Sequence, residues 1–229
     1  MTHAFPIGID QSLLRFFNGS DSLFLDGMMT ALTDGLTWIP LYLALLYMVI
    51  KNNETIEQIF LTIGCLLLCV LLADGMADGI VKPLFARLRP SYDPLVMEHL
   101  DYVNTRGSGY SFFSAHAANT MSLAVFFSLL VRDRLFNFFM IAWALLNGYT
   151  RLYLGVHYPS DVLVGFLWGA VSGFIAYFVW HKVYFKISPR LNYVSSQYTR
   201  TGYTLSDADM VITVMAFTFI YSMVFAIVG

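Results

Sequence analysis

Charge is scarce in this sequence. Asp, Glu, Lys and Arg together make up 12% of 229 residues, where soluble domains carry about 25%. So few charges cannot cover a water-facing surface, and 58% of the residues are hydrophobic, so most of the surface is expected to face lipid. An excess of positive charge is also missing. The net charge is −2, which argues against a broad basic surface for nucleic acid. Cysteine is limited to Cys65 and Cys69, four residues apart in one apolar run. That spacing on one helix disfavours a disulfide, so both read as small core or lipid-facing side chains. The N-terminal stretch carries Asp10, Arg15, Asp21 and Asp26 with no uninterrupted apolar run, so no cleaved signal peptide is expected. Ile9, Leu13, Leu14, Phe16 and Phe17 instead predict that residues 1–27 hold a short amphipathic helix on the membrane surface.

What is present is a series of apolar runs near the length of about 20 residues that a span needs. They are Met28–Ile50, Ile56–Val81, Ser114–Val131, Leu135–Tyr153, Asp161–Val183 and Met210–Val228. The expected fold is an all-α polytopic membrane bundle of about six transmembrane helices, one domain over residues 1–229. Short connectors at Lys51–Thr55, Arg132–Arg134 and Leu154–Ser160 make neighbouring helices antiparallel. Two connectors are long: Lys82–Phe113, with Pro83, Pro90 and Pro94, and Tyr184–Asp209, with Pro189 and Gly202. Placing Lys51 in the cytoplasm puts Arg132, Arg134, Lys182, Lys186, Arg190 and Arg200 there too. The other face holds Arg15, Lys82, Arg87, Arg89, Arg106 and Arg151. Discounting the three of these that serve a site (below), the bias places that face outside the cytoplasm.

The chemistry-bearing residues fall into three clusters: Lys82 to Pro90 after the second span, Ser111 to His116 before the third, and Arg151 to Asp161 between the fourth and fifth. The first two flank one loop, and two further crossings return the chain to the same face for the third. Each cluster alone has a plainer reading, as snorkelling cations or as a helix cap with an interfacial His. Together they supply what phosphoryl transfer requires. Lys82, Arg89 and Arg151 are three cations, two with the planar fork that suits phosphate oxygens. Ser114 offers a hydroxyl at a helix start, where free N–H groups bind anions. His116 and His157 are available for nucleophilic and acid–base roles. Asp161, four residues after His157, can hold the imidazole in one tautomer. No Cys/His metal spacing is present, so neither a metal nor another cofactor is expected.

Lys-x6-Arg-Pro, Ser-x-His and Arg-x5-His-x3-Asp, in that order, resemble the type 2 phosphatidic acid phosphatase (PAP2) superfamily over a catalytic core of residues 56–183. Its bacterial members include phosphatases of phosphatidylglycerophosphate, undecaprenyl diphosphate and lipid A. The resemblance implies a lipid-phosphate phosphatase of a bacterial cytoplasmic membrane. It implies His157 as the nucleophile that becomes phosphohistidine, Asp161 as its orienting partner and His116 as the acid for the leaving group. Lys82, Arg89, Ser114, Arg151 and the backbone at Ala115 would then hold the phosphate. Two positions depart from the family pattern. Ala115 stands where Gly is usual, which matters if the backbone there needs a conformation only Gly adopts easily. Thr150 replaces a Ser before Arg151 and keeps the hydroxyl.

Outside the motif, Asp78 is expected to pair with Lys82 four residues on, and Asp74 shares its helix face. Acids inside spans are usually paired or functional. Gly165, Gly169 and Gly173 recur every four residues and predict close helix packing at the bundle centre, with a dimer face as the weaker alternative. Asn119 and Asn147 are expected to bond between helices. His3, His99 and His181 have no evident partners. Two other function classes compete with the phosphatase. A non-enzymatic lipid or anion transporter has no use for two His and an Asp. A vanadium-dependent haloperoxidase resembles the same motif residues, but those enzymes are soluble.

Overall fold

The computed structural model describes residues 7–101, 103, 107–187 and 197–228. His3, Arg106, Pro189 and Arg190 lie outside the described residues. Every regular element among them is helical: α1 (Ile7–Phe17), α2 (Leu23–Thr33), α3 (Ile39–Lys51), α4 (Ile56–Met76), α5 (Lys82–Phe85), α6 (Ala115–Val131), α7 (Arg134–Tyr153), α8 (Pro159–Ile187) and α9 (Leu205–Val228). By length and apolarity, three are able to cross a membrane: the run from α4 through α5, α8 and α9. A fourth crossing counts if α2 and the Gly35–Lys51 stretch together make one bent span.

That bend corrects the first expectation. Instead of one continuous helix over Met28–Ile50, the chain turns by 67° between Thr33 and Gly35. Asp34 ends α2, and its carboxylate accepts the Leu36 N–H to start a 3-10 turn. Pro40 then occupies the first turn of α3, where its missing N–H is tolerated, whereas inside a continuous helix it would break the ladder. The second predicted span runs on past Val81. Ala77–Val81 form one turn of π-helix, and α5 ends at Ala86 in the left-handed conformation, φ 45°. That turn directs Arg87 and Arg89 back over the bundle.

The bundle is built around α6, most of whose residues are buried, and α8 lies directly on it. A Cβ added to Gly165, Gly169 or Gly173 would come within 2.6, 2.4 and 2.4 Å of the Ser114, Ala118 and Ser122 carbonyl oxygens. The glycine repeat therefore serves packing of α8 on α6 backbone to backbone. Asn119 donates to Asp74 Oδ1 across helices at 3.0 Å. Asn147 departs from its expectation: its amide donates to Trp143 O of its own helix, 2.9 Å away. Cys65 and Cys69 are buried free thiols.

α1 is more than a surface helix. Leu14 is fully buried with Val96, Leu100 and Tyr158, Phe17 meets Tyr149 edge-on, and Asp10 is 5% exposed. Ile9, Leu13 and Phe16 point outward. The apolar residues of this helix thus divide between two faces, because 10, 14 and 17 share one helical face and 9, 13 and 16 another.

Candidate active site

Four chain segments converge on His157. It sits in the short connector between α7 and α8, and its N–H bonds back to Arg151 O at 3.3 Å. The ring is buried, as is Asp161 in the first turn of α8. Arg89 reaches in from the loop after α5. Its guanidinium donates to Ser108 O, Gly109 O and Val156 O, and its Nη1 lies 3.2 Å from His157 Nε2. Gly107 makes room for it: with φ +67°, a Cβ there would stand 2.9 Å from Arg89 Nη1.

This contact assigns the tautomer. A guanidinium has donors and no acceptor, so Nε2 must present its lone pair to Arg89, and the ring proton belongs on Nδ1. Nδ1 lies 3.6 Å from Asp161 Oδ2, too far for a direct hydrogen bond. Ser111 stands between them. Its hydroxyl donates to Asp161 Oδ2 in a short bond, and its oxygen is 3.4 Å from Nδ1. The pair expected to touch is therefore relayed through a serine. Asp161 accepts two further bonds, from Tyr158 N at 3.0 Å and from Arg87 at 2.6 Å. Burial pushes the His157 imidazole down to about 3; Asp161 pulls against this, while Arg89 and Arg151 reinforce it. Burial also lowers Arg89 from its usual value, against the fields of Asp161 and Asp78.

The remaining predicted residues surround this centre at different distances. Arg151 is an electrostatic neighbour of His157, Arg89 and His116. Its Nη1 donates to Thr33 Oγ1 at 2.7 Å, while its buried Nε has no hydrogen-bond partner. His116, in the first turn of α6, lies against the backbone of Thr33. Ser114 caps α6 by accepting the Ala117 N–H, which leaves its own proton to donate, and its N–H bonds to Asp161 O at 3.0 Å. Ala115 is the first residue of α6 with no positive φ, so the position does not need glycine's freedom. Lys82 pairs with Asp78. Among the described residues, neither Lys82 nor His116 hydrogen-bonds to another of the predicted site residues, Asp78 excepted. No group of three or more His, Cys, Asp or Glu among them is placed to hold a metal ion.

The sequence pattern assigns no role to Ser111, Arg87 or Thr33. Arg87 lies within Lys82–Pro90 and Ser111 opens Ser111–His116, both at positions outside the motif residues. Thr33 is the last residue of α2 and carries no local signal; the helix break at Asp34 leaves its hydroxyl beside Arg151. Beyond that break, a cavity of about 670 Å³ opens between α2, α3 and α9, lined by Thr30, Ala31, Leu36, Pro40, Phe217 and Tyr221. Thr30 is one helical turn from Thr33.

Residues 63–185 match the PAP2 superfamily. The chain is 40% identical over 177 residues to lipid A 4'-phosphatase of Bacteroides thetaiotaomicron, covering 76% of this chain and 78% of that protein. It is 33% identical over 180 residues to lipid A 4'-phosphatase of Porphyromonas gingivalis, covering 77% and 73%. Among solved structures, Aquifex aeolicus LpxE superposes with a TM-score of 0.57 at 25% identity, over 76% of this chain and 96% of that one.

Proposed function

The chain belongs to the PAP2 superfamily and is a phosphatase, and from that premise we propose that it removes a phosphate ester from a lipid A-type glycolipid through a phosphohistidine on His157. One contact carries the mechanism: Nε2 of a buried, neutral His157 faces Arg89 at 3.2 Å. A phosphoryl group entering there takes the Arg89 N–H onto one of its oxygens, which frees the Nε2 lone pair for attack and leaves the cation beside the phosphate. Arg89, Arg151 and Lys82 spread the charge of the equatorial oxygens, with Ser114 and the first N–H groups of α6 as further donors. Nε2 attacks phosphorus as the lipid oxygen departs, and His116 delivers the proton that oxygen needs. Asp161, acting through Ser111, stabilises the positive charge that grows on the ring. Water then takes the phosphoryl group from Nε2, with His116 as base. No metal takes part in either step.

The substrate class rests on the two lipid A 4'-phosphatases, each matched over more than two thirds of its length. The apolar cavity beside Thr30 and Leu36 suits acyl chains entering at bilayer depth while the headgroup reaches Arg151. Six crossings remain our reading of the topology. α6 is sheathed by its neighbours and needs neither the length nor the apolar surface of a lipid-facing span, and α7 returns the chain to the site. The residues of the site share the face opposite Lys51. Discounting Arg87, which carboxylates engage, and likewise Lys51, which pairs with Asp207, still leaves more cations on the Lys51 side, which favours that side as cytoplasmic. The site then faces outward from a bacterial cytoplasmic membrane.

Purified protein presented with bisphosphorylated lipid A, phosphatidylglycerophosphate, phosphatidic acid and undecaprenyl diphosphate tests this directly. Phosphate release fastest from lipid A, undiminished by a chelator and inhibited by vanadate, is the expected result. Preference for one of the other three would reassign the substrate. Loss of all activity on chelation, restored by a divalent ion, would remove the metal-free mechanism.

A further inference from the structure

Arg87 is not one of the cations expected to hold phosphate, and its surroundings say why. Nη1 donates to Asp161 Oδ1 at 2.6 Å and to Ser160 Oγ at 2.8 Å, and Nη2 donates to Asp10 Oδ2 at 2.6 Å. Asp10 belongs to α1. Its other oxygen accepts the Ser160 N–H at 2.9 Å, and Ser160 Oγ donates to Oδ2 at 2.5 Å. The guanidinium lies 4.0 Å over the Tyr158 ring, whose hydroxyl is held by Asp93 at 2.7 Å. The side chains of Asp161, Asp10 and Arg87 are 0%, 6% and 17% exposed.

Exposed ion pairs contribute little, but this one is enclosed and its carboxylate oxygens are satisfied. A buried carboxylate without its cation would be strongly disfavoured in its charged form. Resting on the reading of Asp161 as the carboxylate behind the nucleophile, we infer that Arg87, gripped by Asp10 of α1, is a positioning residue: it holds Asp161 ionised and fixed, and through Ser111 sets the tautomer and direction of His157. The N-terminal helix is thereby a working part of the site. Asp10 and Asp161 share one guanidinium through different nitrogens, so removing the Asp10 charge frees Arg87 to turn from its bridging position, although Asp10 makes no hydrogen bond to His157.

The test uses the full chain in detergent. Asp10→Asn keeps the side chain's shape and removes its charge. Its kcat should fall about 10- to 100-fold, the range in which outer partners of an active group act, with KM within about twofold, measured below a thermal midpoint that loss of the buried pair should itself lower. Asp10→Glu should recover part of the rate. Arg87→Gln should lower kcat in the wild-type background and add nothing to Asp161→Asn. Nitrogen-15 shifts of the His157 ring supply a readout free of turnover, with Nε2 unprotonated in wild type and a tautomer mixture in Asp10→Asn. An unchanged kcat and unchanged ring shifts in Asp10→Asn, or an Arg87→Gln loss that multiplies with Asp161→Asn, would overturn the inference. A wild-type protein that hydrolyses none of the four lipids would instead overturn the phosphatase reading, and the ring shifts would still decide the role of Arg87.

Discussion

Arg89 Nη1 and His157 Nε2 stand 3.2 Å apart, with Nδ1 of the same ring turned toward Ser111 and Asp161. A donor-only cation on one ring nitrogen and a carboxylate relay on the other leave a single tautomer that satisfies both. The ring is thereby held in one tautomer with its Nε2 lone pair on Arg89.

The relay makes Ser111 a sensitive position. Ser111→Ala removes the bridge and one of the bonds to a fully buried carboxylate, a loss of about 1–3 kcal/mol. The rate of phosphohistidine formation should fall about 10- to 100-fold, and Ser111→Thr, which keeps the hydroxyl, should lose less. Equal rates for wild type and Ser111→Ala in single-turnover experiments would show that Asp161 acts on His157 without the serine.

The two histidines should separate by leaving group. His157→Ala should abolish both turnover and covalent labelling from phosphate-labelled substrate. His116→Ala should slow lipid substrates, whose alkoxide must be protonated, by on the order of 10²- to 10⁴-fold. It should slow p-nitrophenyl phosphate much less. Equal losses on both substrates, or a phosphohistidine mapped to His116, would reverse the assignment.

Acid should cost stability through His157. In the unfolded chain it ionises near 6.5, and in the folded protein near 3. Between these values the unfolded chain binds a proton that the folded one refuses, so stability falls as pH drops through this window and returns as pH rises. The slope approaches about 1.4 kcal/mol per pH unit. Thermal unfolding of wild type should therefore move down more steeply from pH 7 to pH 5 than that of His157→Asn. Parallel shifts in the two proteins would mean the ring is not held neutral.

Packing of α8 on α6 should tolerate no added methyl group. Gly169→Ala places a Cβ 2.4 Å from Ala118 O, and forcing the helices apart should cost about 1–3 kcal/mol. Gly64→Ala, where nothing lies within 4 Å, is the control and should not destabilise. A Gly169→Ala protein as stable as wild type in thermal unfolding would remove the close approach.

Orientation can be read by thiol labelling in intact cells. Leu95 is 66% exposed in the loop on the site's face, and Glu54 is exposed beside Lys51. With the native cysteines buried, a membrane-impermeant reagent should modify Leu95→Cys and spare Glu54→Cys. The reverse pattern would place the site in the cytoplasm. Gly107, although in the same loop, is unsuited as a reporter because a side chain there meets Arg89.

Composition and spacing were enough to show an all-helical membrane bundle and to bring His157, Arg89 and Asp161 under suspicion together. Apolar runs are set by the solvent around the chain, and a motif with fixed spacing on helix ends reports its chemistry locally. The glycine repeat was legible for the same reason, since one helical face suffices to define it. Tertiary structure alone decided the rest. The break between α2 and α3 depends on how Asp34 and Pro40 act at a point where apolarity alone reads as one continuous span, and it leaves Thr33 beside Arg151. The place of Ser111 between His157 and Asp161, and of Asp10 behind Arg87, joins residues 46 and 77 positions apart. Neither pairing leaves a periodic or compositional trace, because a buried polar group is satisfied by whichever partner the folded backbone brings within about 3 Å.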